Sequence, residues 1–366
     1  MIFQLTPRGR LANALTPAII VFFGVPSLQT MAQSVPSDLL EMSIEDLFEA
    51  RVGDDSNIAG RDGKRWNFSY SYRKSRFSDY LDGSKKIPVR DVLFSPGEAP
   101  RTDKNFPVVP TDIEQEVHMA SLRYDFTPDI SVSVAIPYVK QSTDHVSIVP
   151  GYSNFIISTD GLGDITLLGS YRFAKTINSR WQAGLGISFP SGSIDEKGDT
   201  PRAPGKQQLP YTMQLGSGTY DVPAYLSYLR SEASFTWGVD LSAKIRLGEN
   251  DRDYHLGNTV SASSWVRLTT ISWIQPSIKL DYRHWTEIHG EDTSLTVPGP
   301  YPYPAPVVNP DLFGGDLVDL LIGLRIPVFS EKSHVDLEFG KPLYQSLNGP
   351  QSGEDYRFTV TFSGSF

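Results

Sequence analysis

Cysteine is absent from all 366 residues, which excludes a disulfide framework and any thiolate-held metal. Long apolar runs are missing as well. The best candidate, residues 11–25, is shorter than the roughly 20 residues a spanning helix requires. Basic charge is in deficit, with 33 Lys and Arg against 42 Asp and Glu, and that balance speaks against nucleic acid as a partner. Histidine is scarce, at six, and no histidine–acid spacing points to a metal site. The glycines of "GLGD" and "LGSGTYD" precede no helix, so they cannot build a phosphate loop. No cofactor is therefore expected.

What the chain does have is glycine (30), proline (27) and aromatics (11%), a composition suited to many short strands and turns. Its last run, "EDYRFTVTFSGSF", puts Tyr356, Phe358, Val360, Phe362 and Phe366 on one parity. Arg357, Thr359, Thr361 and Ser363 take the other, the period of a strand with two unlike faces. Twelve such runs follow Arg65, near 65–75, 115–126, 129–140, 163–174, 180–190, 219–230, 235–247, 258–268, 273–286, 316–327, 333–343 and 354–366. Each approaches the length of a tilted membrane strand. The connections alternate long and short, with long ones at about 76–114, 141–162, 191–218, 248–257, 287–315 and 344–353. Long outer loops and short periplasmic turns mark outer-membrane barrels.

The N-terminus carries Arg8 and Arg10 before the apolar stretch, and Thr30-Met31-Ala32 reads as a small-residue cleavage site. Residues 1–32 are expected to be a signal peptide, 33–62 a short periplasmic helical segment, and 63–366 the barrel. Removal of the signal takes two Arg and no acid, leaving 31 basic and 42 acidic residues. The fold class expected is all-β: a transmembrane antiparallel up-and-down β-barrel of about 12 strands in the outer membrane of a Gram-negative cell.

A soluble sandwich would hide its apolar face in a second sheet. Here the polar face carries Asp240, Lys244, Arg246, Lys279, Asp281 and Arg283 in mid-run, which suits a wetted lumen inside a lipid-facing wall. Tyr124, Phe126, Tyr171, Phe173, Trp181, Tyr228, Phe235 and Trp237 fall outward beside the short turns, as an interfacial girdle. Parity also turns Arg123, Arg172, Arg267 and Arg325 inward near the periplasmic mouth, a candidate basic ring. Asp164, Asp221, Asp316 and Asp319 lie toward the outer side as a candidate acidic entrance. In a narrow barrel the same charges could instead pair across the lumen. The Pro- and Tyr-rich stretch "SLTVPGPYPYPAPVVNPDLFGG" could fold inward as a constriction or stand as a stiff vestibule. Residues 76–114 could be a lid, a mobile loop or a concealed hairpin.

The fragments "GLGDITLLGSYRF", "AIPYV", "ISFPSGS", "LGSGTYDVPAYLSY" and "PLYQSLNGPQ", in this order, resemble the outer-membrane proteins of the phenol-degradation meta-pathway transporter family. The resemblance covers most of residues 115–366. It implies a barrel that passes small, hydrophobic or aromatic compounds, without fixing phenol as the solute. The partners expected are outer-membrane lipid, a small-molecule solute and, as an option, further copies of the chain. Two other readings stay open at this point. One is a lipid hydrolase with a Ser–His pair on the lipid face, for which His284 is the best-placed histidine. A short turn near 270 would set it opposite Gly257, which is no nucleophile. The other is a structural or adhesive barrel with a blocked lumen.

Overall fold

The computed structural model describes residues 65–329 and 333–366; the expected signal peptide and helical segment lie outside the described residues. In chain order the elements are β1 (Trp66–Gly83), β2 (Lys85–Ile87), α1 (Val89–Val92), β3 (Val108–Asp125), β4 (Ile130–Ser147), β5 (Asn154–Leu162), β6 (Ile165–Phe173), β7 (Ser179–Phe189), β8 (Lys197–Asp199) and β9 (Lys206–Gln208). They continue with β10 (Tyr220–Ser231), β11 (Phe235–Leu247), β12 (Tyr254–His255), β13 (Thr259–Leu268), β14 (Gln275–Trp285), β15 (His289–Gly290), β16 (Gly315–Pro327) and β17 (Ser333–Ser365).

Eleven strands form one antiparallel wall in the order β1-β3-β4-β6-β7-β10-β11-β13-β14-β16-β17, and β17 returns to pair with β1. The wall is therefore a closed barrel with no free edge. Two further strands lie outside this circuit: β2 pairs with the end of β1, and β5 with the upper part of β4. Strand β17 is 33 residues long, and straight it would reach about 110 Å. Instead it pairs with β16 from His334 to Leu347 and with β1 from Leu347 to Ser365. It doubles back at Asn348–Gly349, where Gly349 takes a φ of 109° that a side chain would resist. Beyond the fold, Gln345 Nε2 donates to the Glu354 carbonyl at 3.0 Å and Glu354 N–H to Gln345 Oε1 at 2.8 Å. The expected twelve runs thus meet eleven strands, because β17 carries the last two.

Alternation explains which way each side chain turns. Along β11, Phe235, Val239, Leu241, Ile245 and Leu247 are exposed while Thr236, Lys244 and Arg246 are buried. That is the reverse of a soluble sheet and the pattern of a wall set in lipid. Aromatic rings meet side by side near the short turns. Trp66–Tyr124 and Tyr124–Phe126 centroids lie 4.7 and 4.9 Å apart, and Trp181–Tyr228 and Tyr228–Trp237 lie 4.8 and 5.3 Å apart. These contacts form a girdle at the short-turn end of the wall. Inside, large rings lie over glycines of the neighbouring strand. A Cβ on Gly184 would sit 1.9 Å from the Tyr225 ring, and one on Gly238 would sit 2.6 Å from Trp265.

Strands β1, β3 and β4 each run 18 residues, well beyond the about 9–11 that cross a bilayer. Their outer ends show where lipid stops. The outward face passes from Tyr72 to Lys74 and Arg76, which meet Glu114 at 2.9 Å and Asp112 at 3.1 Å. Over the same stretch the inward face turns apolar, with Phe77, Val109, Ile113 and Val117 all buried. Above the membrane, the barrel thus has the water-out, oil-in pattern of a soluble protein.

Candidate functional site

The lumen and its outer cap make up the candidate site. The cap is built on the inverted outer ends of the wall. Tyr80, Val109, Tyr211, Tyr254, Ile288, Ala305, Val307, Val308, Leu312 and Phe313 belong to one buried apolar cluster fed by β1, β3 and three outer loops. The Pro-rich stretch supplies five of these side chains. Its prolines start two 3-10 turns, Pro306–Val308 and Pro310–Leu312, which turn the apolar residues into the cluster. Tyr211 meets Tyr254 at 4.7 Å and Phe313 at 5.6 Å, both edge-on. Burial pushes the Tyr211, Tyr254 and Tyr303 phenols up from their usual range, so they act as neutral hydrogen-bonding groups. Tyr303 donates to Glu291 at 2.8 Å, and Tyr211 accepts from the Asp292 N–H at 2.9 Å.

Polar staples fix the loops to the wall. Asp164, between β5 and β6, accepts from Gly192 N–H at 2.9 Å and from the Ser217 N–H and hydroxyl at 2.8 and 2.7 Å. Asp221 and Arg246 pair with essentially no exposure, and Thr219 adds a hydroxyl donor to Asp221 at 2.7 Å. Asn250 donates to the Ser217 carbonyl at 2.9 Å. The carboxylates expected at an acidic entrance therefore serve as anchors: Asp164 for the loop after β7, Asp221 for the β10–β11 pair.

Below the cap lies a cluster of charges from β14, β16 and β17. Arg283 contacts Asp319 and Glu354, both at 2.9 Å. Arg357 contacts Asp281 at 2.6 Å and Asp319 at 3.0 Å. Three carboxylates thus hold two guanidiniums, an arrangement that burial tolerates because every member meets an opposite charge at hydrogen-bond distance. Beneath it a small cavity of about 80 Å³ opens between Asp240, Trp265, Arg267, Lys279, Arg325 and Asp336. Hydroxyls of Ser242, Ser261, Ser263, Ser277, Thr359 and Thr361 complete its lining. Arg267 stands over the Trp265 ring at 5.2 Å, a cation–π contact. The Trp265 indole N–H donates to Asp240 at 2.9 Å.

The expected lumen residues distribute as follows. Asp240, Lys279, Asp281, Arg267 and Arg325 line the cavity. Arg283 and Asp319 lie in the charge cluster above it, and Lys244 is buried on the inward face of β11. Of the four ring arginines, Arg325 is bidentate on Asp336 at 2.7 and 2.8 Å, and Arg123 meets Asp125 at 3.1 Å. Arg172 reaches the Pro128 carbonyl at 3.1 Å, at the turn itself. Arg267 and Arg325 share the cavity, while Arg123 and Arg172 belong to other parts of the rim. Asp316 requires a correction, because it faces outward. It accepts from Tyr282 at 2.7 Å and meets His284 at 3.0 Å on the outer wall. Its strand buries 317, 319, 321, 323 and 325, so Asp316 and Asp319 cannot share a face.

Strict parity missed Glu354. The register slips between Arg76–Tyr356 and Phe77–Glu354, a bulge that turns Glu354 inward. Asp336 and Glu338 have inward parity but were not singled out, because their role as partners of Arg325 and Lys279 depends on which strands are neighbours. Across the wall His284 stands opposite Val260 rather than Gly257, and opposite Asp316 on its other side; neither is a hydroxyl nucleophile.

No family model matches this chain, and no curated protein does. Among solved structures, it is similar to the COG4313 outer membrane channel from Pseudomonas putida F1, at 13% identity over 83% of this chain and 96% of that one, with a TM-score of 0.53. A Pseudomonas aeruginosa FadL homologue (10% identity, 92% and 99% covered) and the Pseudomonas putida toluene transporter TodX (9%, 92% and 96%) follow at TM-scores of 0.41, too distant to argue from. The first likeness concerns the fold. Together with the lipid-facing wall and the ring girdle, it defines the class: an outer-membrane β-barrel, resident in the cell outer membrane.

Proposed function

We propose that this barrel is a channel for small solutes across the outer membrane, and that it belongs with the phenol-degradation meta-pathway transporters its sequence fragments resemble. The observation that carries the reading is the polar cavity inside the wall, lined by hydroxyls, paired charges and one indole face. Such a lining wets the path and offers a flat ring one surface to stack on. The aromatic cap above it suits first contact with hydrophobic or aromatic compounds. The expected lumen set is Arg123, Asp164, Arg172, Asp221, Asp240, Lys244, Arg246, Arg267, Lys279, Asp281, Arg283, Asp319 and Arg325; in this reading Asp164, Asp221 and Arg246 brace the wall, and Arg267, Lys279 and Arg325 stand nearest the solute. The hydrolase reading is weaker, since His284 has an acid partner but stands opposite Val260 and Asp316, with no serine or threonine across from it.

Planar bilayers test the proposal. The purified protein is expected to give small, discrete conductance steps, or to speed uptake of an aromatic solute into vesicles. Arg325→Ala leaves Asp336 without its guanidinium, so the reversal potential should move toward cation preference. A protein with neither conductance nor solute uptake, or one that turns over phospholipid, would overturn the channel reading.

A further inference from the structure

We propose that His255 and His289 form a two-histidine clip for a divalent transition metal on the outer cap. The two residues face each other directly in the short β12–β15 ribbon. Their neighbours Tyr254, Leu256 and Ile288 point the opposite way, into the cap's apolar cluster, so both imidazoles stand on the outer side of the ribbon. The ribbon is held on both flanks. Asn250 N–H donates to the Tyr254 carbonyl at 2.9 Å, and Glu291 N–H to the Asp253 carbonyl at 3.0 Å. Gly290, at a φ of 77°, lets its backbone approach Asp253 more closely than any side chain would allow.

The ring geometry fits one shared ion. The centroids lie 4.9 Å apart with planes tilted by 42°. With a metal–nitrogen bond of about 2.0 Å, each centroid sits roughly 3.2 Å from the ion. Ligand angles between square and tetrahedral then separate the centroids by about 4.5–5.2 Å. The tautomer is set as well. His255 Nδ1 lies 2.9 Å from the Leu256 carbonyl, which can only accept, so Nδ1 carries the proton and Nε2 keeps its lone pair. That hydrogen bond is the outer-shell partner that ligating histidines usually have. Two imidazoles select Cu(II), Ni(II) or Zn(II) over Mg(II) or Ca(II), which prefer oxygen. Among the described residues no group of three or more His, Cys, Asp and Glu is placed to hold a metal, so water would fill the remaining positions. The clip would tie the loop after β11 to the loop after β14, the one that carries the Pro-rich part of the cap. It rests on the ribbon alone, and stands or falls independently of the channel reading.

The test is titration of tag-free, chelator-stripped barrel in detergent with Cu(II), Ni(II), Zn(II) and Mg(II), followed by calorimetry and by Cu(II) electron paramagnetic resonance. The expected result is one ion per barrel, tightest for Cu(II) and absent for Mg(II), with nitrogen couplings from two imidazoles. His289→Ala, at an exposed position, should weaken binding by about tenfold or more and reduce the coupling to one imidazole. His284→Ala should bind as the parent does. Heat-modifiable migration in gels confirms that each variant is folded. Failure of the parent to bind, or parent-like binding by folded His289→Ala, overturns the proposal.

Discussion

Arg246 and Asp221 show how a charge suited to a lumen becomes structural once its neighbours are known. Both are essentially without solvent exposure. Arg246→Ala would leave a buried carboxylate with only hydroxyl donors, at a cost of about 3–5 kcal/mol. We expect a lower urea midpoint for unfolding in detergent. A double change to Arg246→Met with Asp221→Leu should recover most of it, because the pair is then replaced rather than broken. An Arg246→Ala midpoint equal to the parent's would contradict the burial. At this scale, parity in the sequence identified which side chains turn inward along regular strands: Asp240, Lys279, Asp281, Arg283 and Arg325 all do. It missed Glu354, because period-two reasoning has no means of seeing the extra residue of a bulge; at Asp316 the period itself holds, and its parity, opposite to that of Asp319 and Arg325, is what turns it outward.

The cap is the element that the sequence disclosed least. Residues 76–114 and 141–162 were expected as long loops, yet much of each is strand. The reason is that lipid ends partway up β1, β3 and β4. There the charged side chains move to the outer face and the apolar ones to the inner, so the alternation continues with its phase reversed. A concealed hairpin is present, although short: Tyr80, Leu81 and Asp82 pair with Ile87, Lys86 and Lys85. In the Pro-rich stretch Ala305, Val307, Val308, Leu312 and Phe313 are buried in the cap's apolar cluster. Replacing residues 298–311 with a short Gly-Ser linker should remove much of the cap's apolar core while leaving the wall intact. Conductance steps should grow several-fold, and heat-modifiable migration should persist. Unchanged steps would mean that the narrowest point lies lower, at the Arg283–Arg357 cluster. The phenols of the cap give a second handle. Their raised pKa means the folded cap is favoured below about pH 10 and loses that contribution as pH rises further. Protease resistance of the outer loops should fall on the alkaline side and not on the mildly acidic side.

At the scale of the whole molecule, the barrel was legible because lipid imposes one rule along every strand: no unpaired backbone and no unpaired charge on the outer face. Which strands meet was legible only by assuming consecutive neighbours, an assumption the wall obeys everywhere except its seam. There β1 meets β17, and Asn67 bonds to Ser365 across 298 positions of sequence. A ladder joining such remote segments carries a large chain-entropy cost before its first contact repays anything. Every other pairing can form from a local hairpin as the polypeptide arrives, but the seam has to wait for its last segment. Chain lacking residues 354–366 should therefore stay an open ribbon with two sticky flanks and precipitate on refolding, whereas removal of an outer loop should be tolerated. A truncated chain that refolds to a heat-modifiable monomer would contradict this. The seam acts as a latch, since the wall cannot close until the second half of β17 lies against β1.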